Sequence, residues 1–230
     1  MHPAAAVQTR WKMIYLARRN PALAAEDFAA AWRGHSALGR QCRNVQEKVT
    51  GVTQCTRLLE RLPAGASTCY DGVNLLRLRD RQAGDDIWDD AETLAIMRPD
   101  ELRVFDRHVR DFALLAREQL LRDGPAGQAV LTGFLRRLPR VAPADFTRAL
   151  AQADVPWPQA RRVVLNTVEP QRPPGYDFDA IVEWWFDDAE TLRTALGPGD
   201  LRCALPLLLK VVCDPRTPVF LATAVSHRRG

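Results

Sequence analysis

The chain has 230 residues, 47% of them hydrophobic, 26% charged and 7% aromatic, which is enough apolar material for a sizeable core and excludes a disordered or fibrous chain. Its 32 Lys and Arg and 28 Asp and Glu leave a formal charge of +4, but the two signs are interspersed and form no basic tract, which argues against nucleic acid as a partner. No window approaches the ~20 apolar residues of a membrane span, residues 1–7 are too short and uncharged for a signal peptide, and the five scattered cysteines (Cys42, Cys55, Cys69, Cys203, Cys213) show neither a disulfide framework nor a zinc motif, so a cytoplasmic protein with mostly buried, unpaired thiols is expected.

Residues 13–17 read as a strand, and residues 24–38 as a helix that carries Phe28, Trp32, His35 and Leu38 at helical spacing on one face. Residues 49–59 and 73–79 read as strands. Asp89 and Asp90 offer N-cap chemistry for a second helix running toward His108, and residues 112–121 are either its continuation or a fourth strand. The second half follows the same plan, with strands at 130–135, 162–168, 180–186 and 219–226 and helices at 143–154 and 188–212.

Two internal matches support one plan used twice. Arg18-Arg19-Asn20-Pro21, with Asp27-Phe28 after it, recurs as Arg136-Arg137-Leu138-Pro139 with Asp145-Phe146. Asp89-Asp90-Ala91-Glu92-Thr93-Leu94 recurs as Asp187-Asp188-Ala189-Glu190-Thr191-Leu192. Tyr70-Asp71 and Tyr176-Asp177 mark a third matching place. The order β-α-β-β-α-β, read twice, predicts an α+β fold of two ferredoxin-like units, residues 1–122 and 123–230. Each unit has one sheet face covered by helices and the other in need of a partner.

Arg18-Arg19-Asn20-Pro21, Glu26-Asp27-Phe28, Trp32-Arg33-Gly34-His35 and Tyr70-Asp71-Gly72-Val73 resemble the EthD domain family of the dimeric α+β barrel superfamily. The likeness spans most of residues 11–120. The second half resembles the family more weakly and lacks a counterpart of His35. The resemblance implies an intrachain barrel formed by the two sheets, and the company of cyclases, decarboxylases, dehydratases and monooxygenases that act on small, often aromatic molecules, together with proteins of no known activity. EthD itself is associated with oxidative ether degradation.

Candidate site residues follow from strand alternation and from the Trp-x-x-His pattern. His35 is the candidate acid/base, against a packing role on Trp32. On the third strand of each half, Asn74, Leu76 and Leu78, and Ala180, Val182 and Trp184, are placed on the helix-packed face. Leu75 and Arg77, and Glu183 and Trp185, are then placed toward the barrel cavity, with Arg77 and Glu183 at related positions, either orienting an anionic substrate or simply solvated. On the first strand Met13, Tyr15 and Ala17 are placed toward the cavity, opposite Leu131, Gly133 and Leu135, with Tyr15 as a hydrogen-bond donor. His108 sits in a charged stretch and reads as solvated, while His2 and His227 lie near the termini. No metal-ligand spacing and no phosphate or dinucleotide loop is present, so neither a metal nor another cofactor is expected. Two functions stay open: a cofactor-independent oxidoreductase, lyase or cyclase acting on a small hydrophobic or aromatic molecule, or a non-catalytic accessory protein, which would show an exposed apolar patch. A homodimer through exposed edge strands stays open too.

Overall fold

The computed structural model describes residues 10–230; residues 1–9, with His2 and the stretch considered for a signal peptide, lie outside the described part. Eight strands form: β1 Arg10–Ala17, β2 Val49–Arg57, β3 Gly72–Leu78, β4 Ala113–Arg122, β5 Ala129–Leu135, β6 Arg162–Val168, β7 Ala180–Phe186 and β8 Val219–Arg229. All pairings are antiparallel, and they close into one barrel in the order β1-β3-β2-β8-β5-β7-β6-β4. Within it, β4-β1-β3-β2 and β8-β5-β7-β6 are two ferredoxin-like sheets, sewn together by β2 with β8 and by β4 with β6. Residues 112–121, left between helix and strand by the sequence, are mostly strand. Every strand is hydrogen-bonded on both sides, so the expected exposed edges do not exist among the described residues, and the edge-pairing route to a homodimer is closed.

Helices cover the outside of the barrel: α1 Phe28–Leu38, α2 Arg43–Lys48, α3 Arg81–Asp86, α4 Ala91–Ile96 and α5 Arg98–Val104 over the first sheet, and α6 Pro143–Gln152, α7 Ala189–Leu196, α8 Leu201–Ala204 and α9 Leu207–Val212 over the second. The long helices expected after Asp90 and Asp188 start as predicted, with each carboxylate accepting from a backbone N–H three residues on (Thr93 at 2.9 Å, Thr191 at 2.7 Å). They then break. Pro99 has no N–H with which to continue α4, Gly197 takes a left-handed φ of 63°, and Pro206 starts α9.

The two halves can be aligned through one repeated contact. Asp71 accepts from the Arg19 N–H (3.0 Å) and the Arg19 guanidinium (2.7 Å). Asp179 accepts from the Arg137 N–H at 2.8 Å, with the Arg137 guanidinium at 3.4 Å. Asp71 therefore corresponds to Asp179 and not to Asp177, which instead pairs with Arg136 at 2.8 Å. The Tyr-Asp match in the sequence is two residues out of register. Arg77 consequently corresponds to Trp185, and Glu183 to Leu75.

The alternation assigned to β3 and β7 is correct, but that of β1 and β5 is inverted. Directly opposed residues of an antiparallel ladder project to the same face. Met13 opposes Leu76 and Tyr15 opposes Asn74, so Met13, Tyr15 and Ala17 face the helices, and Lys12, Ile14 and Leu16 face the barrel interior. Likewise Leu131, Gly133 and Leu135 oppose Trp184, Val182 and Ala180, and Leu131 and Leu135 pack under the second helix layer. The interior is filled around Ile14, Leu16, Leu114, Val130, Phe134 and Ile181, all completely buried. Cys42, Cys55 and Cys213 are buried, Cys69 and Cys203 exposed, and all five are unpaired. No described helix is long and apolar enough to cross a membrane.

Candidate functional site

The best-formed site lies between the outer face of the first sheet and its helices. α1 presses Phe28, Trp32 and His35, at i, i+4 and i+7, onto that face. Gly72 makes this packing feasible, since a Cβ there would stand 2.5 Å from the Trp32 ring and 2.8 Å from the Cys55 carbonyl. His35 is buried, edge-on to Phe105 at 5.5 Å, with its Nδ1 3.0 Å from Asp100 Oδ2 on α5. Asp100 is also held by Arg103 at 2.6 and 3.1 Å.

Burial pulls the His35 pKa below the usual imidazole value, only partly opposed by Asp100. Burial pushes Asp100 up, but Arg103 and His35 outweigh it and hold its carboxyl below the ordinary range. An ionised carboxylate can only accept, so the single N–H of the neutral imidazole sits on Nδ1, and Nε2 keeps a free lone pair. This is a base oriented by a carboxylate.

The opposite wall is the sheet. Tyr15, Asn74 and Gln54 oppose one another across β1, β3 and β2, and all three line the same cavity as His35, Trp32 and Glu101. Burial, reinforced by the Glu101 charge, raises the Tyr15 phenol far above its usual value, so it stays a neutral hydroxyl. Glu101 accepts from His108 Nδ1 (3.0 Å) and the Val109 N–H (3.1 Å); His108 is thus half-buried and clasped rather than solvated. Gln54, 1% exposed, donates to the Trp32 carbonyl at 3.4 Å. Its Oε1, and the Oδ1 of Asn74 at 4% exposure, have no hydrogen-bond partner among the described residues.

The cavity is about 60 Å³, room for a few atoms, whereas a cavity on the order of 150 Å³ is needed for benzene. Its cover includes Thr93 of α4 and Met97 beyond it, and α4 itself buries no residue.

The corresponding space in the second half is filled. In the alignment set by Asp71 and Asp179, Tyr15 becomes Gly133, Gln54 becomes Leu165, Asn74 becomes Val182 and Leu76 becomes Trp184. Trp184 packs edge to face on Trp157 at 4.9 Å, and a Cβ at Gly133 would stand 2.9 Å from it. The same fold is therefore built with an apolar layer in one half and with a polar, hollow one in the other.

The residues expected to form one site fall into three places. Tyr15 and Trp32 join His35 in the outer cavity. Met13 lines a separate groove with Arg81, Arg172 and Glu169. Leu75, Arg77, Glu183 and Trp185 line the barrel mouth. Arg77 and Glu183 do not pair: Glu183, 1% exposed, takes hydrogen bonds from Lys12 (2.6 Å), Asn166 (2.8 Å) and Trp185 (2.8 Å). Sequence reasoning missed Asp100, Gln54, Glu101, Lys12, Glu118 and Asn166, and read Asn74 only as packing. The available signal was an amide side chain inside a strand, as at Gln54 in Val49–Arg57 and Asn166 in Arg162–Val168. Among the described residues no group of three or more His, Cys, Asp or Glu side chains is placed to hold a metal.

A closed eight-stranded antiparallel barrel of two ferredoxin-like sheets with outer helices is a dimeric α+β barrel, here within one chain. Solved structures agree on the fold. An anthrone oxidase-like protein matches with a TM-score of 0.60 at 12% identity, covering 96% of this chain and 92% of its own. A candidate monooxygenase from Fusobacterium nucleatum matches at 0.56 and 8% identity, covering 96% and 94%. Chlorite dismutase from Candidatus Nitrospira defluvii, in complex with imidazole, matches at 0.53 and 13%, covering 95% and 91%. No family model matches the chain, and no curated protein is similar to it in sequence.

Proposed function

We propose that this chain is an EthD-type small-molecule-binding protein, a duplicated unit with an active first copy (1–122) and a degenerate second one (123–230), whose first half performs cofactor-independent oxidation of an aromatic or phenolic metabolite. The observation that carries this reading is the pair of unpartnered amide oxygens, Gln54 Oε1 and Asn74 Oδ1, beside His35 and Tyr15. An unpartnered buried acceptor costs about 1–3 kcal/mol, and at the two corresponding positions the second half avoids that cost with Leu165 and Val182. Retaining the amides is reasonable where a ligand's hydroxyl groups complete them.

In this reading His35 Nε2 removes a proton from an acidic O–H or C–H, Asp100 holds the imidazole that becomes charged, and the Tyr15 hydroxyl donates to the oxygen on which negative charge develops. Dioxygen is the oxidant. For an anthrone-like probe the reacting methylene gives up two hydrogens; one oxygen atom of dioxygen becomes the new carbonyl and the other leaves as water.

The test is a thermal-shift screen of wild type and His35→Ala against phenols, aromatic acids, ethers and anthrone, followed by oxygen uptake on each hit. A compound that stabilises both proteins and is converted only by wild type supports the reading. Stabilisation without turnover by wild type overturns the catalytic part.

One observation favours an accessory protein as the second reading. Leu207 (79% exposed), Leu208 and Val211 present an apolar patch on α9. No hit in the screen, together with loss of a protein partner on Leu207→Lys, would select it.

A further inference from the structure

A second cavity lies on the other side of the first sheet, at the open mouth of the barrel. It measures about 390 Å³ and is lined by Arg10, Lys12, Arg77, Arg162 and Arg228, with Glu118, Glu183, Leu75 and Trp185 among the other wall residues. Its floor is internally paired. The Lys12 ammonium lies 2.6 Å from Glu183 and 2.8 Å from Glu118, and all three side chains are nearly inaccessible.

The four arginines above that floor are not matched in the same way. Arg228 donates to the Ala126 and Gly127 carbonyls at 3.2 and 2.8 Å, which carry no net charge, and its guanidinium stands 5.4 Å from the Trp185 ring. Arg162 reaches the highly exposed Asp123 at 3.2 Å, and Arg10 reaches Glu118 at 3.5 Å. Arg77 forms no ion pair with a described side chain. It lies between Gly51 and Gly230, where an added Cβ would come within 2.7 and 2.5 Å of its guanidinium. Residues 1–9, next to Arg10, include no Asp or Glu. Five side-chain cations thus meet three side-chain carboxylates, Asp123 included, around one concavity.

Guanidinium groups converging on a concave, partly apolar site focus positive potential and match oxyanions in planar, two-point geometry. The cavity is within the size range of metabolite sites. We infer that the barrel mouth binds a multivalent oxyanion, a phosphate ester or a polycarboxylate, held chiefly by Arg77 and Arg228 against the Trp185 wall. Lys12, already held by two carboxylates, serves as the fixed floor. The site stands apart from the His35 cavity, so its occupancy does not depend on the chemistry proposed there.

Titration calorimetry with pyrophosphate and with citrate, at low and at physiological salt, tests this. Wild type binds at least one of the two, more weakly as salt rises. Arg77→Ala and Arg228→Ala each weaken binding by about tenfold or more, as does Gly51→Ala, which displaces the Arg77 guanidinium without removing a charge. Arg148→Ala, on the exposed face of α6, and His35→Ala bind as wild type does. Thermal melts confirm that the variants are folded, and Arg77→Lys retains part of the affinity. The ratio of pyrophosphate to citrate affinity separates a phosphate-ester site from a polycarboxylate site. Absence of binding of both anions to wild type, or equal weakening in Arg148→Ala and Arg77→Ala, overturns the inference.

Discussion

The imidazole of His35 and the carboxylate of Asp100 lie 3.0 Å apart although 65 residues separate them in the chain. If the carboxylate fixes the proton on Nδ1, Asp100→Asn removes that control, because an amide can present either a donor or an acceptor. Turnover of a confirmed substrate is expected to fall by about tenfold or more in Asp100→Asn and by roughly 10²–10⁴ in His35→Ala, with ligand affinity changed little. Steady-state kinetics with separate kcat and KM check this. Wild-type rates in Asp100→Asn refute the assigned tautomer.

The same residue sets a pH dependence of stability. The folded pKa of His35 lies below the unfolded value of 6.5, so on acidification the unfolded chain takes up the proton first. The stability that neutral His35 contributes is whole above pH 6.5 and is lost as the pH falls through 6.5 toward the folded pKa. Asp100, lowered from 3.8, acts in a separate window, contributing above 3.8 and losing its contribution below it. Thermal melts from about pH 7.5 to 5 should show a falling Tm in wild type and a flatter profile in His35→Gln.

Exchanging Gln54 and Asn74 for the residues of the other half, Leu and Val, removes both unpartnered oxygens. The double variant is expected to be as stable as wild type or more so, by up to about 1–3 kcal/mol, a Tm rise of about 2–4 °C per kcal/mol for a chain of this size. It should lose the shift induced by any ligand of the His35 cavity. A marked loss of stability would mean that the amides hold the fold together and are not kept for a ligand.

Gly72 has no room for a side chain. Gly72→Ala forces a methyl group into the Trp32 ring and the Cys55 carbonyl, and the backbone atom cannot swing away. Overpacking of this kind costs about 1–3 kcal/mol, readable by denaturant unfolding. It should also blunt ligand binding, since Trp32 walls the His35 cavity.

Lys12 is the cation between Glu118 and Glu183. Lys12→Met leaves the buried Glu183 without a counter-charge and Glu118 with only Arg10 at 3.5 Å, and is expected to cost about 3–5 kcal/mol. Adding Glu118→Gln and Glu183→Gln should recover most of it, measured as a cycle of chemical denaturation midpoints.

Much of this molecule was legible in local chemistry. The alternation of 73–79 and 180–186, the Asp90 and Asp188 caps, and the apolar face of Phe28, Trp32 and His35 are short-range patterns, set by backbone geometry within a few residues. They determined the order of strands and helices and hence the pair of ferredoxin-like units. The inward and outward phase of β1 was decided elsewhere. It follows from the ladder that sets Met13 against Leu76 and Tyr15 against Asn74, and no isolated strand carries that information. The two-residue slip between Tyr70-Asp71 and Tyr176-Asp177 was exposed only when Arg19 and Arg137 each closed on its own aspartate. Closure of the barrel then separated Tyr15 and His35 from Arg77 and Glu183 by the thickness of a sheet, and brought in Asp100, Gln54 and Lys12. A site is a matter of which faces meet, and that depends on pairings between residues far apart in the chain, which local periodicity does not encode.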